Sequence, residues 1–191
     1  FKSIKIAHEV HFPDAMKVAS PLTLHISASD GIMLNLDNDA ELRDAVETMR
    51  SRISANVPDA TIEGFLIEKM APKGMEVIVG MKRDPNFGPL IMFGMGGIFV
   101  ELFKDIALGV APLSDNDVER MINCTKAGTL LKGYRGSETL DIASLKHTIL
   151  KLSAIAVNHP EIAEIEINPL LVLPEGQGTL ALDARAILET A

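Results

Sequence analysis

The sequence predicts a mixed α+β fold, and three observations support that class. Strand-like segments follow one another directly, as in MEVIVGMKRD (75–84) and LIMF (90–93), so antiparallel hairpins outnumber strict βαβ units. Helical periodicity is confined to a few stretches, most clearly residues 37–58. No G-x-G-x-x-G opens a helix after a strand, and no G-x-x-x-x-G-K-[ST] occurs. A doubly wound dinucleotide-binding fold is therefore disfavoured.

The elements are predicted in order along the chain. A short strand lies near residues 15–19, between two prolines, and a second one ends the segment 26–36. An amphipathic helix follows, with apolar residues at helical spacing and an end near Pro58. Further strands are expected in the segments 61–70, 75–84, 90–93, 98–103 and 106–110. Ser114 then caps one helix, and a longer helix covers about 141–158 before a closing hairpin.

Composition narrows the class of protein. The 191 residues are 47% apolar and 23% charged, as in ordinary globular proteins, and the net charge of −8 disfavours broad nucleic-acid binding. The stretch 87–103 resembles a membrane span, but four glycines, a proline and Glu101 interrupt it, so we expect buried strands and no membrane partner. The single Cys124 excludes an internal disulfide framework and fits a cytoplasmic location. Because the chain begins at Phe1 without Met, we expect a fragment of a longer protein.

The closing hairpin, EIEINPLLVLPEGQGTLALDAR (164–185), carries a candidate metal site. Strand alternation places Glu164, Glu166 and Asn168 on one face. A turn near Gly176 brings Asp183 roughly opposite Asn168, and directly opposed residues point to the same face. Carboxylate and amide oxygens suit Mg²⁺. From spacing alone, an ordinary solvated polar face is the preferred interpretation.

Three cationic or histidine side chains are further candidates. Lys17, within the apolar segment AMKVAS, is either an edge-strand lysine or a phosphate ligand. Arg83 lies beside an Asp-Pro turn, where it is either a surface cation or a phosphate contact. His25 lies where a strand passes into a Ser/Gly loop, and its context alone indicates a structural residue.

The glycines of FGMGGIFVE (93–101) form another candidate feature. Gly96 and Gly97 either let the backbone approach a ligand or simply make a tight turn.

Four segments together resemble the ATP-grasp domain of the ADP-forming acyl-CoA synthetases, of the acetate–CoA ligase type, which are relatives of the succinyl-CoA synthetase β subunit. The segments are MKVASPLTLH, the long stretch IEKMAPKGMEVIVGMKRDPNFGPLIMFGMGGIFVELFKD, LLKGYRG, and the hairpin EIEINPLLVL…LALDAR. The resemblance implies an ATP-grasp fold of two α+β lobes with antiparallel sheets, truncated at its N-terminus. Residues 1–66 would form an incomplete N-terminal lobe, and residues 67–191 the C-terminal lobe with the Mg²⁺-binding hairpin.

The resemblance also implies contacts with ATP or ADP. Lys17 resembles the lysine that contacts the phosphates, and Arg83 resembles a phosphate-side arginine. Glu68 and Ala71 match the segment that holds the adenine, while Glu76 matches the acidic residue that binds the ribose. The last matching pair is the glycine turn at the active site, Gly96 and Gly97.

The remaining correspondences concern magnesium and phosphate relay. Asn168 and Asp183 match the two Mg²⁺ ligands, and Glu166 matches the glutamate that steadies a phosphohistidine. His25 resembles the second histidine that relays phosphate in the ADP-forming enzymes. However, the family typically reads Ser-Pro-x-x-x-His-Lys-Ser/Thr-Asp-x-Gly-Gly, whereas this chain has SPLTLHISASDG. The departure weakens the relay assignment of His25 more than the nucleotide assignments.

The implied function is the nucleotide-binding part of an ADP-forming ligase, which converts acyl-CoA, ADP and phosphate to carboxylate, ATP and CoA through phosphohistidine. The partners would be the CoA-binding and ligase domains of the same enzyme, in an oligomeric parent protein. The alternative is a non-catalytic ATP-grasp sensor module, as in fusions to a lysine acetyltransferase, and the altered loop after His25 favours it.

Overall fold

The structure, a computed structural model, describes residues 12–21, 31–96 and 105–189. The chain divides into two compact units between Ala71 and Pro72. Each unit contains an antiparallel sheet and at least one helix, which confirms the predicted α+β class. The lobe boundary expected after residue 66 falls inside a strand, Gly64–Lys69, and pairing of that strand keeps it within the first unit.

Within residues 12–21 and 31–71, the first unit has a three-stranded sheet and one helix. Its elements are β1 (Asp14–Ala19), β2 (Ile32–Leu36), α1 (Asp39–Asn56) and β3 (Gly64–Lys69). The strand order is β2-β1-β3, so β1 is central. The Asn38 side chain caps α1 by accepting hydrogen bonds from the backbone N–H groups of Ala40 and Glu41. The predicted apolar periodicity of α1 is confirmed, since its buried residues are Leu42, Ala45, Met49 and Ile53.

The second unit is built on a larger antiparallel sheet. Its strands are β4 (Met75–Asp84), β5 (Gly88–Met95), β6 (Ile106–Val110), β7 (Ile162–Val172), β8 (Thr179–Ala181) and β9 (Ala184–Leu188). The order is β6-β5-β4-β7-β8, and β9 also pairs with β7. The long strand β7 therefore lies between β4 and the other half of the closing hairpin, β8 and β9.

The described part of the second unit contains three helices: α2 (Asp115–Asn123), α3 (Lys126–Leu131) and α4 (Ile142–Asn158). Ser114 and Asp117 form the capping box of α2, as predicted. The predicted helix over 141–158 is also confirmed, with Asp141 as its N-cap. Sequence analysis did not identify α3, a short helix capped by Thr125. The strand expected at 98–103 lies outside the described residues.

The two faces of the larger sheet differ in composition. Val77, Val79 and Met81 of β4 join one hydrophobic core with buried residues of all three helices. The intervening residues of β4 point the other way, because side chains alternate along a strand. This second side, here called the far face, comprises Gly80, Lys82, Leu90, Met92, Leu108, Glu164 and Glu166 by cross-strand register. No helix in the described ranges is both long and apolar enough for a membrane span.

Candidate functional site

The hairpin of β7 with β8 and β9 sets the geometry of the predicted metal site. The backbone N–H of Asn168 donates to the carbonyl oxygen of Asp183 at 3.1 Å, and the N–H of Leu182 donates to that of Pro169 at 3.0 Å. Pairing of Ile167 with Ala184 continues the same register. The predicted opposition of Asn168 and Asp183 is therefore confirmed.

The turn of this hairpin depends on glycine. Gly176 has a φ of +80° and Gly178 a φ of +87°, in the left-handed region where glycine has no Cβ to clash. The backbone N–H of Gly178 also donates to the Asp141 carboxylate at 2.9 Å. The turn is thereby fixed to the start of α4, and with it the register that places Asp183.

Glu166 lies at the centre of a side-chain hydrogen-bond chain on the far face. The Asn168 side-chain amide donates through Nδ2 to Glu166 Oε1 at 3.3 Å. Arg185, directly opposite Glu166 in the β7–β9 pair, donates through Nη2 to Glu166 Oε2 at 3.0 Å. The same Nη2 lies 3.0 Å from Glu164 Oε1, and Lys82 Nζ lies 3.7 Å from Glu164 Oε2. The acidic face is thus neutralised by two cations.

The donor chemistry at Asn168 and Asp183 fits a magnesium ion. Both side chains supply hard oxygen atoms from opposed backbone positions. In residues 12–21, 31–96 and 105–189, no cluster of three His, Cys, Asp or Glu side chains has a metal-binding arrangement. Two protein ligands are nevertheless compatible with Mg²⁺, which is usually held by one or two carboxylates together with substrate phosphates and water.

Lys17 has a carboxylate partner in the first unit. Its Nζ lies 2.9 Å from Glu68 Oε2, and both side chains are partly exposed. Lys17 opposes Leu66 of β3, two residues before Glu68, so Lys17 and Glu68 share one face. Because β1 is the central strand, the interpretation of Lys17 as an edge-strand lysine is wrong.

Gly96 allows two backbone segments to approach closely. Its N–H donates to the carbonyl oxygen of Glu76 at 3.1 Å. A Cβ at Gly96 would lie 2.6 Å from the carbonyl carbon of Val77, closer than real Cβ atoms come to other atoms. The close contact with β4 is by itself a sufficient reason for glycine at position 96. It requires neither the ligand approach nor the tight turn that the sequence suggested.

Of the other residues predicted to bind nucleotide or phosphate, the structure describes two. Glu76 is exposed at the start of β4, and Ala71 is the half-buried last residue of the first unit. Gly97 and His25 lie outside the described residues.

Arg83 contacts backbone carbonyl oxygens within the second unit. It belongs to the helix-covered side of β4, since it alternates with Val79 and Met81. Its Nε donates to the Ile162 carbonyl oxygen at 2.8 Å, and its Nη2 donates to those of Ala156 and His159 at 2.7 Å each. Arg83 therefore caps the C-terminal end of α4, where a cation is favoured by the helix dipole. The structure gives this residue a structural role in place of the predicted phosphate contact.

Two cations on the far face were not predicted from the sequence, and one of them, Arg185, is a functional candidate. Lys82, adjacent to Arg83, and Arg185, two residues after Asp183, are the cations that contact Glu164 and Glu166. Alternation along the closing hairpin pointed to Arg185, which has the parity of Asp183. It did not point to Lys82, because the neighbouring predicted residue, Arg83, has the opposite parity.

A groove of about 430 Å³ lies beside Glu166 on the far face. Lys82 and Glu164 line its polar side, and Leu90, Met92 and Leu108 line its apolar side. The Glu166 carboxylate is therefore accessible to a segment that enters this groove.

Comparison with known proteins places this arrangement in a family. The family described as ATP-grasp domain matches residues 2–188. The chain is 42% identical over 187 residues to the β subunit of acetate–CoA ligase [ADP-forming] I from Pyrococcus furiosus, covering 98% of this chain and 80% of that subunit. It is 41% identical over 184 residues to 4-hydroxybutyrate–CoA ligase [ADP-forming] from Nitrosopumilus maritimus, covering 96% of this chain but only 26% of that longer protein.

Two solved structures from Ca. Korarchaeum cryptofilum show the same fold. Both are of dinucleotide forming acetyl-coenzyme A synthetase 1. The first, with coenzyme A, Ca-AMPCP and HgCl⁺, has a TM-score of 0.88 at 42% identity and covers 98% of this chain and 81% of its own. The second holds coenzyme A and Mg-AMPPCP, with its phosphohistidine segment pointing towards the nucleotide binding site. It has a TM-score of 0.80 at 38% identity, covering 98% and 82% of the two chains.

Proposed function

Because this chain belongs to the ATP-grasp family, we propose that it is the nucleotide-binding part of an ADP-forming acyl-CoA synthetase. The reaction would be acyl-CoA + ADP + phosphate ⇌ carboxylate + ATP + CoA. Similarity over nearly the whole chain to ligases of that type supports the assignment. The acyl and CoA chemistry would take place in the CoA-binding and ligase domains that partner this one.

The observation that carries the proposal is the opposition of Asn168 and Asp183 across the hairpin. These two residues would hold Mg²⁺ through oxygen atoms, and the bound ion would neutralise charge that develops on the transferred phosphoryl group. Binding of Mg-AMPPCP by the K. cryptofilum protein supports the same choice of metal and nucleotide here.

The nucleotide contacts proposed for the first unit are Lys17, Glu68 and Ala71. Lys17 would exchange its contact with Glu68 for a phosphate oxygen of the nucleotide, which is also a charged hydrogen-bond acceptor. Glu76, at the start of the second unit, would bind the ribose. Gly96, whose backbone lies close to β4, and Gly97 would form the glycine turn at the active site.

Phosphate relay is the second half of the proposal. His25 would carry the phosphoryl group, since neutral imidazole is a nucleophile near physiological pH. Glu166 would steady a phosphohistidine segment that enters the groove beside it. The phosphohistidine segment of the K. cryptofilum protein, described as pointing towards the nucleotide site, supports such a visit.

A second candidate function is a non-catalytic ATP-grasp module that binds nucleotide as a sensor or scaffold. The observation that favours it is the loop HISASDG, which departs from the family pattern immediately after His25.

Labelling with [γ-³²P]ATP and Mg²⁺ separates the two candidates. Catalytic relay predicts an acid-labile, base-stable label that is lost in His25→Ala. The matched control, His147→Ala, changes an exposed histidine on α4 and should keep the label. Nucleotide binding in calorimetry without any acid-labile label would contradict the relay and identify a binding module.

A further inference from the structure

We propose that Arg185 is a positioning residue that orients the Asn168 amide towards the metal through Glu166. The inference rests on the proposed function, because it concerns the ion that Asn168 and Asp183 would hold. It adds a residue that acts on the metal site without touching the metal.

The first step concerns Glu166. Its carboxylate has both oxygen atoms engaged, Oε2 with Arg185 Nη2 at 3.0 Å and Oε1 with Asn168 Nδ2 at 3.3 Å. Arg185 is anchored in turn by Glu164 at 3.0 Å and by its place opposite Glu166 in the β7–β9 pair. Two neighbouring carboxylates would repel one another without this cation between them, so Arg185 fixes the position of Glu166.

The second step concerns the amide. An ionised carboxylate only accepts hydrogen bonds, so the side of the Asn168 amide that faces Glu166 must be its nitrogen. The amide oxygen then lies on the other side of the group. A hard cation binds that oxygen and is repelled by the NH₂ group, so a flipped amide would remove one of the two metal ligands.

The third step combines the effect of Arg185 on Glu166 with the effect of Glu166 on the Asn168 amide. If Arg185 were removed, Glu166 would lose the contact that fixes its rotamer, and the amide would no longer have one preferred orientation. Partners that orient metal ligands in this way typically change metal affinity by about 10- to 100-fold when they are mutated. The far-face cation Lys82 forms an ion pair with Glu164 but, in the described part of the chain, none with Glu166, so it does not share this role.

The test measures the binding of ADP by calorimetry, once with excess Mg²⁺ and once with chelator. The readout is the factor by which Mg²⁺ tightens binding, and it requires no turnover. We expect Arg185→Met to reduce this factor about tenfold or more while binding without metal stays the same. Glu166→Gln should behave likewise, because a neutral amide at that position can also donate to the Asn168 oxygen and permit the flip.

The controls separate positioning from charge. Lys82→Met removes a cation from the same face and should leave the Mg²⁺ factor unchanged, whereas Arg185→Lys keeps a charged donor and should retain most of it. If Arg185→Met weakened binding equally with and without metal, Arg185 would be a direct nucleotide contact and the inference would be overturned.

Asp183→Ala distinguishes failure of the inference from failure of the proposed metal site. An Asp183→Ala variant that loses the Mg²⁺ factor, beside an Arg185→Met variant that keeps it, overturns the positioning role alone. If both variants keep the factor, the metal site itself is refuted, and the positioning role is refuted with it.

Discussion

Asn168 and Asp183 are joined by a backbone hydrogen bond of 3.1 Å, from the N–H of the first to the carbonyl oxygen of the second. A metal ligand pair built this way depends on strand register, since a slip of one residue would send one of the two side chains to the other face of the sheet. The turn glycines and the contact of Gly178 with Asp141 hold that register.

Lys17→Met should weaken ADP binding by about tenfold or more, because a charge-assisted hydrogen bond contributes roughly 1.5–3 kcal/mol. The free energy of unfolding should change by less than about 1 kcal/mol, since the Lys17–Glu68 pair is partly exposed. Calorimetry and urea unfolding measure the two effects. The matched control is Lys69→Met, an exposed lysine next to Glu68 on β3. Equal losses of affinity in both variants would contradict a specific contact.

Arg83→Met should destabilise the protein by about 2 kcal/mol or more, because it leaves three carbonyl oxygens without their charged donor. It should not change ADP affinity in the fraction that remains folded. The neighbouring exposed Lys82→Met should change the stability by less than about 0.5 kcal/mol. A loss of ADP affinity at unchanged stability would restore Arg83 to the phosphate site.

Asp14→Val should stabilise the protein at pH 7 by about 1–3 kcal/mol, the usual cost of a buried group without a partner. Asp14 is fully buried, and neither of its carboxylate oxygens has a hydrogen-bond partner within the described ranges. Burial raises the pKa of the Asp14 carboxyl above its ordinary value of 3.8.

The stability gained in Asp14→Val should depend on pH, because the pKa of the Asp14 carboxyl is raised in the folded state. As pH rises past 3.8, the unfolded state loses the Asp14 proton first, so stability falls until the raised folded pKa is passed. The gain from Asp14→Val should therefore be larger at pH 7 than at pH 3.5 in urea unfolding. The matched variant Asp14→Asn cannot titrate and should show a smaller gain. A gain from Asp14→Val that is as large at pH 3.5 as at pH 7 would contradict a buried carboxylate with a raised pKa.

Asp141→Ala should lower the free energy of unfolding by about 1–2 kcal/mol at pH 7, because Asp141 is the N-cap of α4. Its carboxylate accepts the N–H groups of Ser144 and Gly178 at 2.9 Å each, and these bonds lower the pKa of Asp141 below 3.8. The stabilisation by Asp141 is fully present above pH 3.8, the ordinary pKa of the group. It is lost as the pH falls through the lower pKa that Asp141 has in the folded state. Urea unfolding at pH 7 and at pH 2.5 should show the cost shrinking in acid. Glu138→Ala, at an exposed carboxylate before α4, should cost little at either pH.

Local patterns of the sequence were sufficient for several parts of the fold. The hairpin register followed from the alternation of Glu164, Glu166 and Asn168 and from the position of Gly176. The helices at 39–56, 115–123 and 142–158 followed from caps and apolar spacing. Each of these depends on neighbours within one or two elements.

Contacts between distant segments were harder to predict. The partner of Lys17 is on β3, and only the strand order β2-β1-β3 reveals it. The burial of Asp14 is likewise a tertiary feature that the local pattern of β1 did not predict. Arg83 was assigned by resemblance, whereas its parity with Val79 and Met81 already indicated the helix-covered side.

The central claim is that Asn168 and Asp183 hold one Mg²⁺ ion with the nucleotide. The most direct measurement is a double-mutant cycle of Asn168→Ala and Asp183→Ala, read as the factor by which Mg²⁺ tightens ADP binding in calorimetry. Glu175→Ala, in the exposed turn of the same hairpin, is the control. We predict that each single variant loses most of that factor and that the double variant loses little more, because both residues act on one ion. A factor that is unchanged in either single variant, or losses that simply add, would contradict the claim.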